Sequence, residues 1–344
     1  MSKTAIIIGI TGQDGAYLSR LLLEKGYRVI GAVRRSSTLT VPRLAEMGVI
    51  DDVHLRTLDI QELPNICRLL EETGAQEIYN LGAQSSVQVS FAQPIYTAET
   101  AGLGTIRLLE AIRLTGGQAR LFQASSSEIF GREQGGMVTE ATPMQPRSPY
   151  GVAKLLAHWS LVNYREAHGL FSCSGLMFNH ESPYRGLEFV TRKITASLAL
   201  MACGGQNILR LGNLDARRDW SFAGDMVNAM WLMLQHDQPD DYVVASGVTH
   251  SVRDWVHAAA ACLGFDMKWE GDGIDERGYD SATGRELVAI DKNFFRPSEP
   301  ESLAGNASRA RKKLGWSPQV NFETLVEMMA KSDYDRAKSG GDWF

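Results

Sequence analysis

Cysteine is scarce in this sequence. The four cysteines, Cys67, Cys173, Cys203 and Cys262, lie far apart and form no closely spaced pair. Zinc sites and disulfide frameworks both depend on regular cysteine spacing, so the sequence predicts neither, and we expect no metal. Reduced thiols are typical of cytoplasmic proteins, and we expect this chain to be cytoplasmic.

Long apolar runs and an excess of positive charge are also missing. No stretch reaches the roughly 20 apolar residues that a membrane span requires, and the apolar segment after Met1 is too short for a secretory signal. The formal net charge is -5, so no general basic field would attract nucleic acid or an anionic membrane. We therefore expect a soluble protein that binds neither, and any anionic substrate must be held by local groups.

Apolar residues are plentiful and follow a regular order. They make up 44% of 344 residues, enough for a large core. Predicted strands cover residues 4–10, 27–33, 54–58, 77–81, 120–124 and 172–178. Predicted helices cover residues 16–25, 63–73, 101–114 and 150–168. Strands that alternate with helices predict an α/β fold with a doubly wound parallel sheet of the Rossmann type.

Three glycines, Gly9, Gly12 and Gly15, lie between the first predicted strand and the first predicted helix. At this place in a βαβ unit, glycines allow a tight turn and let backbone N–H groups approach a pyrophosphate. The turn predicts a dinucleotide site; the alternative is a glycine-rich turn without a ligand. Two further turns lie where adenine and ribose would rest, and they contain Asp59, Ile60, Leu81, Gly82, Ala83, Gln84 and Ser85.

The end of the second predicted strand carries Arg34 and Arg35, followed by Ser36 and Ser37. NAD sites usually have an acidic residue here that accepts hydrogen bonds from the ribose. Guanidinium groups and hydroxyls instead suit a 2′-phosphate. We therefore predict NADP, the alternative being a solvated basic corner.

These patterns divide the chain into two predicted parts. Residues 1–178 form an NADP-binding Rossmann-type domain, to which part of residues 220–250 returns. Residues 179–344 form most of a smaller, mixed substrate-binding domain, because regularity falls away there into segments rich in Gly, Pro, Asp and Arg. We expect the polar tail, residues 331–344, to be partly disordered.

Tyr150 and Lys154 lie four residues apart at the start of a predicted helix, so they share one face. A lysine ammonium can lower the pKa of a nearby phenol toward the working range, and Tyr150 could then act as a general base. Ser126 follows a predicted strand at the carboxyl edge of the sheet and could hydrogen-bond the same substrate hydroxyl. Together these residues predict hydride transfer, although a Tyr–Lys pair alone could simply pack on a helix.

Glu128 changes the predicted chemistry. A carboxylate two residues after Ser126 could remove a carbon-bound proton that a neighbouring carbonyl has acidified. Simple dehydrogenation or epimerisation does not require this second base, so Glu128 favours a dehydration. Its alternative interpretation is a surface glutamate or an ion-pair partner.

Several stretches in order resemble the extended short-chain dehydrogenases/reductases, and among them the GDP-mannose 4,6-dehydratases, over nearly the whole chain. They are Thr11-Gly12-Gln13-Asp14-Gly15, residues 123–131, Pro146 to Lys154, Phe178 to Pro183, Val190 to Lys193, Arg218-Asp219-Trp220 and Phe295-Arg296-Pro297. The chain departs from the family at Ser126, where threonine is usual, and at Tyr184, where arginine is usual.

The resemblance implies a hydro-lyase that converts GDP-mannose to GDP-4-dehydro-6-deoxy-D-mannose, the first step toward GDP-deoxyhexoses of the fucose and rhamnose type. NADP would be tightly held and regenerated in each turnover. Tyr150 would take the 4-hydroxyl proton, Lys154 would bind the nicotinamide ribose, Ser126 would support the 4-oxygen, and Glu128 would abstract the C5 proton.

The resemblance also implies binding residues and an oligomer. Implied cofactor contacts include Thr11, Gly12, Gln13, Asp14, Gly15, His180 and Arg185. Implied substrate contacts are Ser85, Glu128, Asn179, Lys193, Arg218 and Arg296. A loop near Arg34 to Arg43 would reach the NADP of a neighbouring subunit, which implies a homotetramer or a dimer.

Four alternatives stay open at this point. A nucleotide-sugar 4-epimerase would share Tyr150 and Lys154 but has no use for Glu128 as a second base. A dTDP-glucose 4,6-dehydratase would carry aspartate where this chain has Ser127. The same chemistry could act on another sugar, such as a GDP-manno-heptose. An NADP-binding regulator without catalysis would not need the four catalytic residues.

Overall fold

The computed structural model describes residues 2–37, 39–131, 136–294, 302–341 and 343. Its strands are β1 (Thr4–Ile8), β2 (Arg28–Val33), β3 (His54–Thr57), β4 (Glu77–Asn80), β5 (Arg120–Ala124), β6 (Ser172–Met177), β7 (Asn179–Glu181), β8 (Leu209–Leu211), β9 (Arg217–Phe222), β10 (Asp241–Val244), β11 (Thr249–Ser251), β12 (Met267–Glu270), β13 (Arg277–Asp280) and β14 (Glu286–Ile290).

The helices follow the strands in alternation over the first half of the chain. They are α1 (Gln13–Glu24), α2 (Pro42–Glu46), α3 (Leu63–Thr73), α4 (Val87–Ala92), α5 (Pro94–Thr97), α6 (Gly104–Leu114), α7 (Pro149–His168), α8 (Val190–Ala202), α9 (Ala223–Gln235), α10 (Val252–Cys262), α11 (Ser308–Leu314) and α12 (Phe322–Ser339). A π-helical segment, Ala98–Leu103, joins α5 to α6. Short 3-10 turns include Ser127–Ile129 and Lys292–Phe294.

The central sheet has seven parallel strands in the order β10-β6-β5-β4-β1-β2-β3. The predicted doubly wound α/β fold is confirmed. The strand order reverses between β1 and β4, so the carboxyl ends of these two strands open a crevice at the topological switch point, where ligands bind in such folds.

The isoleucines of β1 show why this strand lies at the centre. Successive side chains of a strand point to opposite faces, and both faces here are covered by helices. Ile7 packs with Tyr79 and Met230 on the side of α1 and α9. Ile6 and Ile8 pack on the other side in the core that α3, α6 and α7 share. The first strand ends at Ile8, two residues before the predicted end, because Gly9 adopts a φ of 84°.

The rest of the chain builds two smaller sheets. Strands β11, β9 and β7 form one, and β12, β13, β14 and β8 form the other, which contains parallel and antiparallel pairs. Their core contains Trp220, Trp255 and Met329. Strand β10 lies at the edge of the central sheet. The predicted boundary at residue 178 stays a prediction.

The polar tail differs from its prediction. Helix α12 continues through the tail to Ser339, and Asp333 is 0% exposed. Asp333 and Arg336 are buried because each forms ion pairs, Asp333 with Arg192 and Arg336 with Glu46. The expected disorder is therefore wrong for residues 331–339.

The described residues contain neither a membrane-spanning helix nor a cluster of metal-binding side chains. None of the helices there combines the length and the apolarity that crossing a membrane requires. Histidine, cysteine, aspartate and glutamate side chains in the same part of the chain form no group of three or more that could hold a metal ion.

Candidate active site

The glycine-rich turn between β1 and α1 brings backbone close to backbone. A Cβ on Gly9 would lie 2.9 Å from the backbone nitrogen of Gly82, and a Cβ on Gly15 would overlap the Ile10 carbonyl. Among the described residues, no side chain caps the start of α1 at Gly12. Glycine thus lets this turn approach the turn after β4 and leaves the helix N-terminus available to an anion.

The turn after β4, residues 81–85, carries a polar atom that lacks a partner. Gln84 donates from Nε2 to the Ser86 carbonyl at 2.8 Å. Its Oε1 is buried without a hydrogen-bond partner among the described residues. A buried carbonyl oxygen without a donor costs free energy, so this atom indicates a ligand group that donates a hydrogen bond.

Gln13 and Asp14 connect the glycine-rich turn to β7. His180 Nε2 lies 2.8 Å from Asp14 Oδ2, and Ser182 donates to Gln13 Oε1 at 2.7 Å. Burial lowers the pKa of His180, but the Asp14 charge and hydrogen bond outweigh burial and raise it. Burial likewise opposes ionisation of Asp14, yet His180 holds the pKa of that carboxyl below its usual value. The lowered pKa of Asp14 and the raised pKa of His180 both favour an oppositely charged, buried pair beside the glycine-rich turn.

Arg34, Arg35 and Ser36 lie exposed after β2. Arg34 Nη1 donates to the Tyr96 hydroxyl at 2.6 Å, so Tyr96 belongs to this corner although the sequence analysis missed it. No sequence signal marked Tyr96, because α5 follows the corner by sixty residues of chain. At the far end of the same loop, Arg43 donates to the carbonyls of Thr11 and Tyr184 within the same chain.

The two predicted cofactor residues after β3, Asp59 and Ile60, differ in whether their side chains can reach a ligand. Asp59 is exposed, and its Oδ1 accepts a hydrogen bond from the Gln61 backbone at 3.0 Å. The side chain of Ile60 is buried in the core against α6, near Gly104. Ile60 can therefore meet a ligand mainly through its backbone.

The catalytic candidates come together where α7 begins. Ser148 caps the helix by accepting from the Gly151 nitrogen at 3.0 Å, and Pro149 fills the first turn. A Cβ on Gly151 would lie 2.7 Å from the Glu128 carbonyl, so glycine lets α7 approach the 3-10 turn that carries Glu128. Ser126 caps that turn, accepting from the Glu128 nitrogen at 3.2 Å.

Tyr150 and Lys154 point inward from the first two turns of α7. Their exposed fractions are 8% and 3%, and Lys154 Nζ lies 5.6 Å from the Tyr150 ring centroid. Lys154 donates to the Ala124 carbonyl at 2.7 Å. The structure thus brings Ser126, Glu128, Tyr150 and Lys154 to one place at the carboxyl edge of β5.

Burial dominates the titration of both groups. It raises the pKa of Tyr150; a hydrogen bond from Ser126 opposes that shift, and the Glu128 charge adds to it. The overall shift of the Tyr150 pKa is upward, opposite to the lowering that the sequence predicts from Lys154. Burial also lowers the pKa of Lys154 to about 8, against the opposing charge of Asp14.

A cleft of about 1010 Å³ opens beside these residues. Its size is at the upper end for small-molecule sites and suits a ligand as long as a nucleotide sugar. Three predicted substrate residues line it, Glu128, Asn179 and Lys193. Lys193 donates to the Arg210 carbonyl at 2.6 Å, and its Nζ lies 3.5 Å from the Phe294 ring centroid.

Other predicted substrate residues lie elsewhere. Arg218 lines a small adjoining pocket together with Glu128 and Asn179. Ser85 is exposed just before α4 and is not among the described residues that line the cleft. Arg296 lies outside the described residues.

The cleft also contains residues that the sequence analysis did not assign. They include Gln88, Arg147, Glu181, Glu188 and Asn213. Arg147 lies within the stretch from Pro146 to Lys154, and its charge so close to Ser148 and Tyr150 was a signal for an anionic ligand. Glu181 is 1% exposed, accepts from Thr191 at 2.6 Å and pairs with Arg185 at 3.0 Å.

Comparison with known proteins places the chain among dehydratases. The family described as GDP-mannose 4,6 dehydratase matches residues 6–329. A GDP-mannose 4,6-dehydratase of Sinorhizobium fredii (strain HH103) is 48% identical over 340 residues, covering 96% of each chain.

Solved structures share the fold at lower identity. DesIV, a dTDP-glucose 4,6-dehydratase from Streptomyces venezuelae with NAD and TYD bound, superposes with a TM-score of 0.82 at 21% identity, covering 98% of this chain and 99% of DesIV. RMD from Pseudomonas aeruginosa, complexed with NADPH, superposes with a TM-score of 0.77 at 21% identity, covering 97% and 100%.

Proposed function

The chain belongs to the GDP-mannose 4,6-dehydratase family, and from that membership we propose how its site converts GDP-α-D-mannose to GDP-4-dehydro-6-deoxy-α-D-mannose and water. The observation that carries the proposal is the position of Glu128. It lines the cleft beside Tyr150 and Ser126, where a second base can reach the sugar that the hydride-transfer residues hold.

The residues present fit a nicotinamide dinucleotide. The glycine turn allows close approach of a pyrophosphate, and Gln84 Oε1 offers a buried acceptor. Arg34 and Arg35 favour NADP over NAD because their guanidinium groups suit a 2′-phosphate. The further residues proposed to hold the cofactor are Thr11, Gln13, Asp14, Ser36, Asp59, Ile60, the 81–85 turn, His180 and Arg185.

The first half of the reaction uses Tyr150, Lys154 and Ser126. The phenolate of Tyr150 takes the proton of the 4-hydroxyl, and Ser126 hydrogen-bonds the 4-oxygen. When bound, NADP would accept a hydride from C4, donate it to C6, and carry a positive charge that favours the phenolate form of Tyr150. Lys154 adds to that charge, since its ammonium lies 5.6 Å from the Tyr150 ring centroid.

The second half uses Glu128. Its carboxylate removes the C5 proton that the new 4-carbonyl has acidified, and it passes a proton to the 6-hydroxyl, which leaves as water. C5 then takes up a proton from Tyr150, which still carries the 4-hydroxyl proton, and this transfer returns Tyr150 to its starting state. Asn179, Lys193 and Arg218 hold the substrate with donors on the phosphates and sugar.

A panel of nucleotide sugars tests the reaction. We expect purified protein, with no added cofactor, to remove one water from GDP-mannose and not from dTDP-glucose, as detected by mass. A GDP-manno-heptose in the panel shows which of the two GDP-sugars the enzyme dehydrates. Absence of water loss with every GDP-sugar contradicts the proposal.

Glu128→Gln separates dehydration from hydride transfer. Loss of the base should slow dehydration by about 10²–10⁴-fold, while C4 oxidation continues and reduced nicotinamide accumulates on the enzyme, visible by absorbance. Glu166→Gln, which removes an exposed carboxylate of α7, is the control and should dehydrate normally. Undiminished dehydration by Glu128→Gln would exclude Glu128 as the second base and reopen the 4-epimerase type of site.

An apolar face supports an oligomer, a dimer or a homotetramer. Val152, Leu156 and Trp159 recur on the outer side of α7, and Ile95 and Leu103 extend the patch, each 37–76% exposed. Exposed apolar patches of this kind mark association sites. The loop near Arg34 to Arg43 is proposed to approach the neighbouring NADP, although the Arg43 side chain contacts its own chain. The four free cysteines suit the proposed cytoplasmic location.

A further inference from the structure

Two arginines hold three successive carbonyls in the turn after β7. Arg192 Nη1 donates to the Pro183 carbonyl at 2.6 Å and to the Arg185 carbonyl at 2.8 Å. Arg43 Nε donates to the Tyr184 carbonyl between them at 2.7 Å. Arg192 comes from α8 and Arg43 from α2, so this turn is fixed from both sides.

Arg192 is itself fixed by the C-terminal helix. Arg192 and Asp333 both have fully buried side chains, and Arg192 Nε lies 2.8 and 2.9 Å from the two carboxylate oxygens. Thr195 donates to Asp333 at 2.6 Å. Burial raises the pKa of the Asp333 carboxyl, and Arg192 and Thr195 oppose that shift. The pair is therefore fully desolvated, and of the Arg192 nitrogens Nε and Nη1 are hydrogen-bonded whereas Nη2 is buried without a hydrogen-bond partner among the described residues.

Stability alone does not account for this pair. Desolvating two charges offsets most of their attraction, and apolar side chains of similar volume often stabilise a core equally well. A guanidinium, however, can bind a carboxylate and two carbonyls at once, which an apolar side chain cannot. The distinguishing property of the pair is thus its hold on the turn.

The turn carries Arg185 toward the catalytic residues. Arg185 pairs with Glu181 at 3.0 Å, and its guanidinium carbon lies 3.5 Å from the Phe189 ring centroid. Arg43 joins this turn to the glycine-rich turn, because it also donates to the Thr11 carbonyl at 3.3 Å, and the Arg185 charge favours the ionised forms of Asp14 and Tyr150. A shift of this turn would therefore move a cation that faces the glycine-rich turn.

We propose that Asp333 and Arg192 are positioning residues that hold the Pro183–Arg185 turn against the cofactor site and thereby retain NADP. The inference rests on the proposed function, in which Arg185 contacts the cofactor. Without the guanidinium, the carbonyls of Pro183 and Arg185 lose their donor, and the turn relaxes away from the glycine-rich turn.

The double variant Arg192→Met/Asp333→Leu tests this role. It removes both charges together and leaves none unpaired, so we expect it to fold with an unfolding temperature close to that of wild type. Its Kd for NADP should rise about tenfold or more, which corresponds to roughly 1.4 kcal/mol, and activity should depend on added NADP. Asp335→Asn, an exposed residue of the same helix, is the control and should retain NADP.

A second variant keeps the test decisive if the double variant does not fold. Arg192→Lys keeps a charge opposite Asp333 but has no planar fork to reach the carboxylate and both carbonyls. We expect Arg192→Lys to fold and to bind NADP more weakly. Asp333→Glu keeps the carboxylate and should retain most of the NADP affinity of wild type. An unchanged Kd in either folded arginine variant would overturn the inference. Failure of wild type to bind NADP or dehydrate GDP-mannose would instead contradict the proposed function.

Discussion

Lys154→Met should preserve or increase the stability of the cofactor-free protein while abolishing activity. Lys154 is 3% exposed, so its ammonium is almost completely desolvated. The proposed mechanism needs that charge beside Tyr150, but folding does not. Methionine has a similar length and no charge, and it therefore removes the functional group and its desolvation cost together.

The magnitude follows from the pKa of Lys154. Burial lowers this pKa from 10.5 to about 8, and each pH unit corresponds to about 1.36 kcal/mol. Holding the charge in the folded state near neutral pH thus costs roughly 3 kcal/mol. Methionine also leaves the Ala124 carbonyl without its 2.7 Å donor, at a cost of about 1–3 kcal/mol. We expect a net change between about zero and a gain of roughly 2 kcal/mol.

The pH dependence gives a sharper test than the net change. Between the folded pKa, about 8, and the unfolded value, 10.5, the unfolded chain binds more protons at Lys154 than the folded chain does. The penalty is therefore fully present below about pH 8 and disappears as the pH rises toward 10.5, so wild-type stability gains roughly 3 kcal/mol that the variant does not. Other groups that titrate in this range are common to both proteins and cancel in the difference.

Urea unfolding of both cofactor-free proteins from pH 7 to pH 10.5 measures this difference. The advantage of the variant should stay nearly constant up to about pH 8 and then shrink toward pH 10.5. Lys312→Met, an exposed lysine of α11, is the control and should show no such trend. A constant difference between wild type and Lys154→Met would refute the argument that burial depresses the pKa of Lys154.

Two further predictions concern the cofactor and the apolar face. Arg34→Ala should weaken NADP binding while leaving NAD binding nearly unchanged, because only NADP carries the 2′-phosphate; a titration that shows equal losses for both would reject that role. Leu156→Glu should reduce the mass measured by light scattering, because it places a charge within the exposed apolar face of α7. A wild type that is already monomeric would exclude the proposed interface.

Local sequence predicted most of the Rossmann-type half. Continuous apolar strands, helical periodicity and glycine stops depend on neighbouring residues, so α3 and β5 have the predicted bounds. The sequence also predicted that the glycine turn, Ser126, Glu128, Tyr150 and Lys154 would lie together, because the carboxyl edge of a parallel sheet gathers them once the strands are known.

Contacts between distant segments were not predictable in this way. Arg218 lies in a small pocket beside the cleft, and Tyr96 contacts Arg34 from a helix far along the chain. Neither position follows from any local pattern. Which residues line the cleft depends on how the smaller sheets pack against the central one.

The sequence by itself predicted the glycine-rich turn, the four candidate catalytic residues and the α/β architecture, because each is encoded within a few consecutive residues. Only the tertiary structure decided the environment of those residues. It buries Tyr150, so that its pKa is raised where the spacing to Lys154 predicted a lower value. It also buries Asp333 of the polar tail against Arg192. Burying a charge costs free energy unless an opposite charge pairs with it, and the partner of Asp333 lies in a distant segment of the chain.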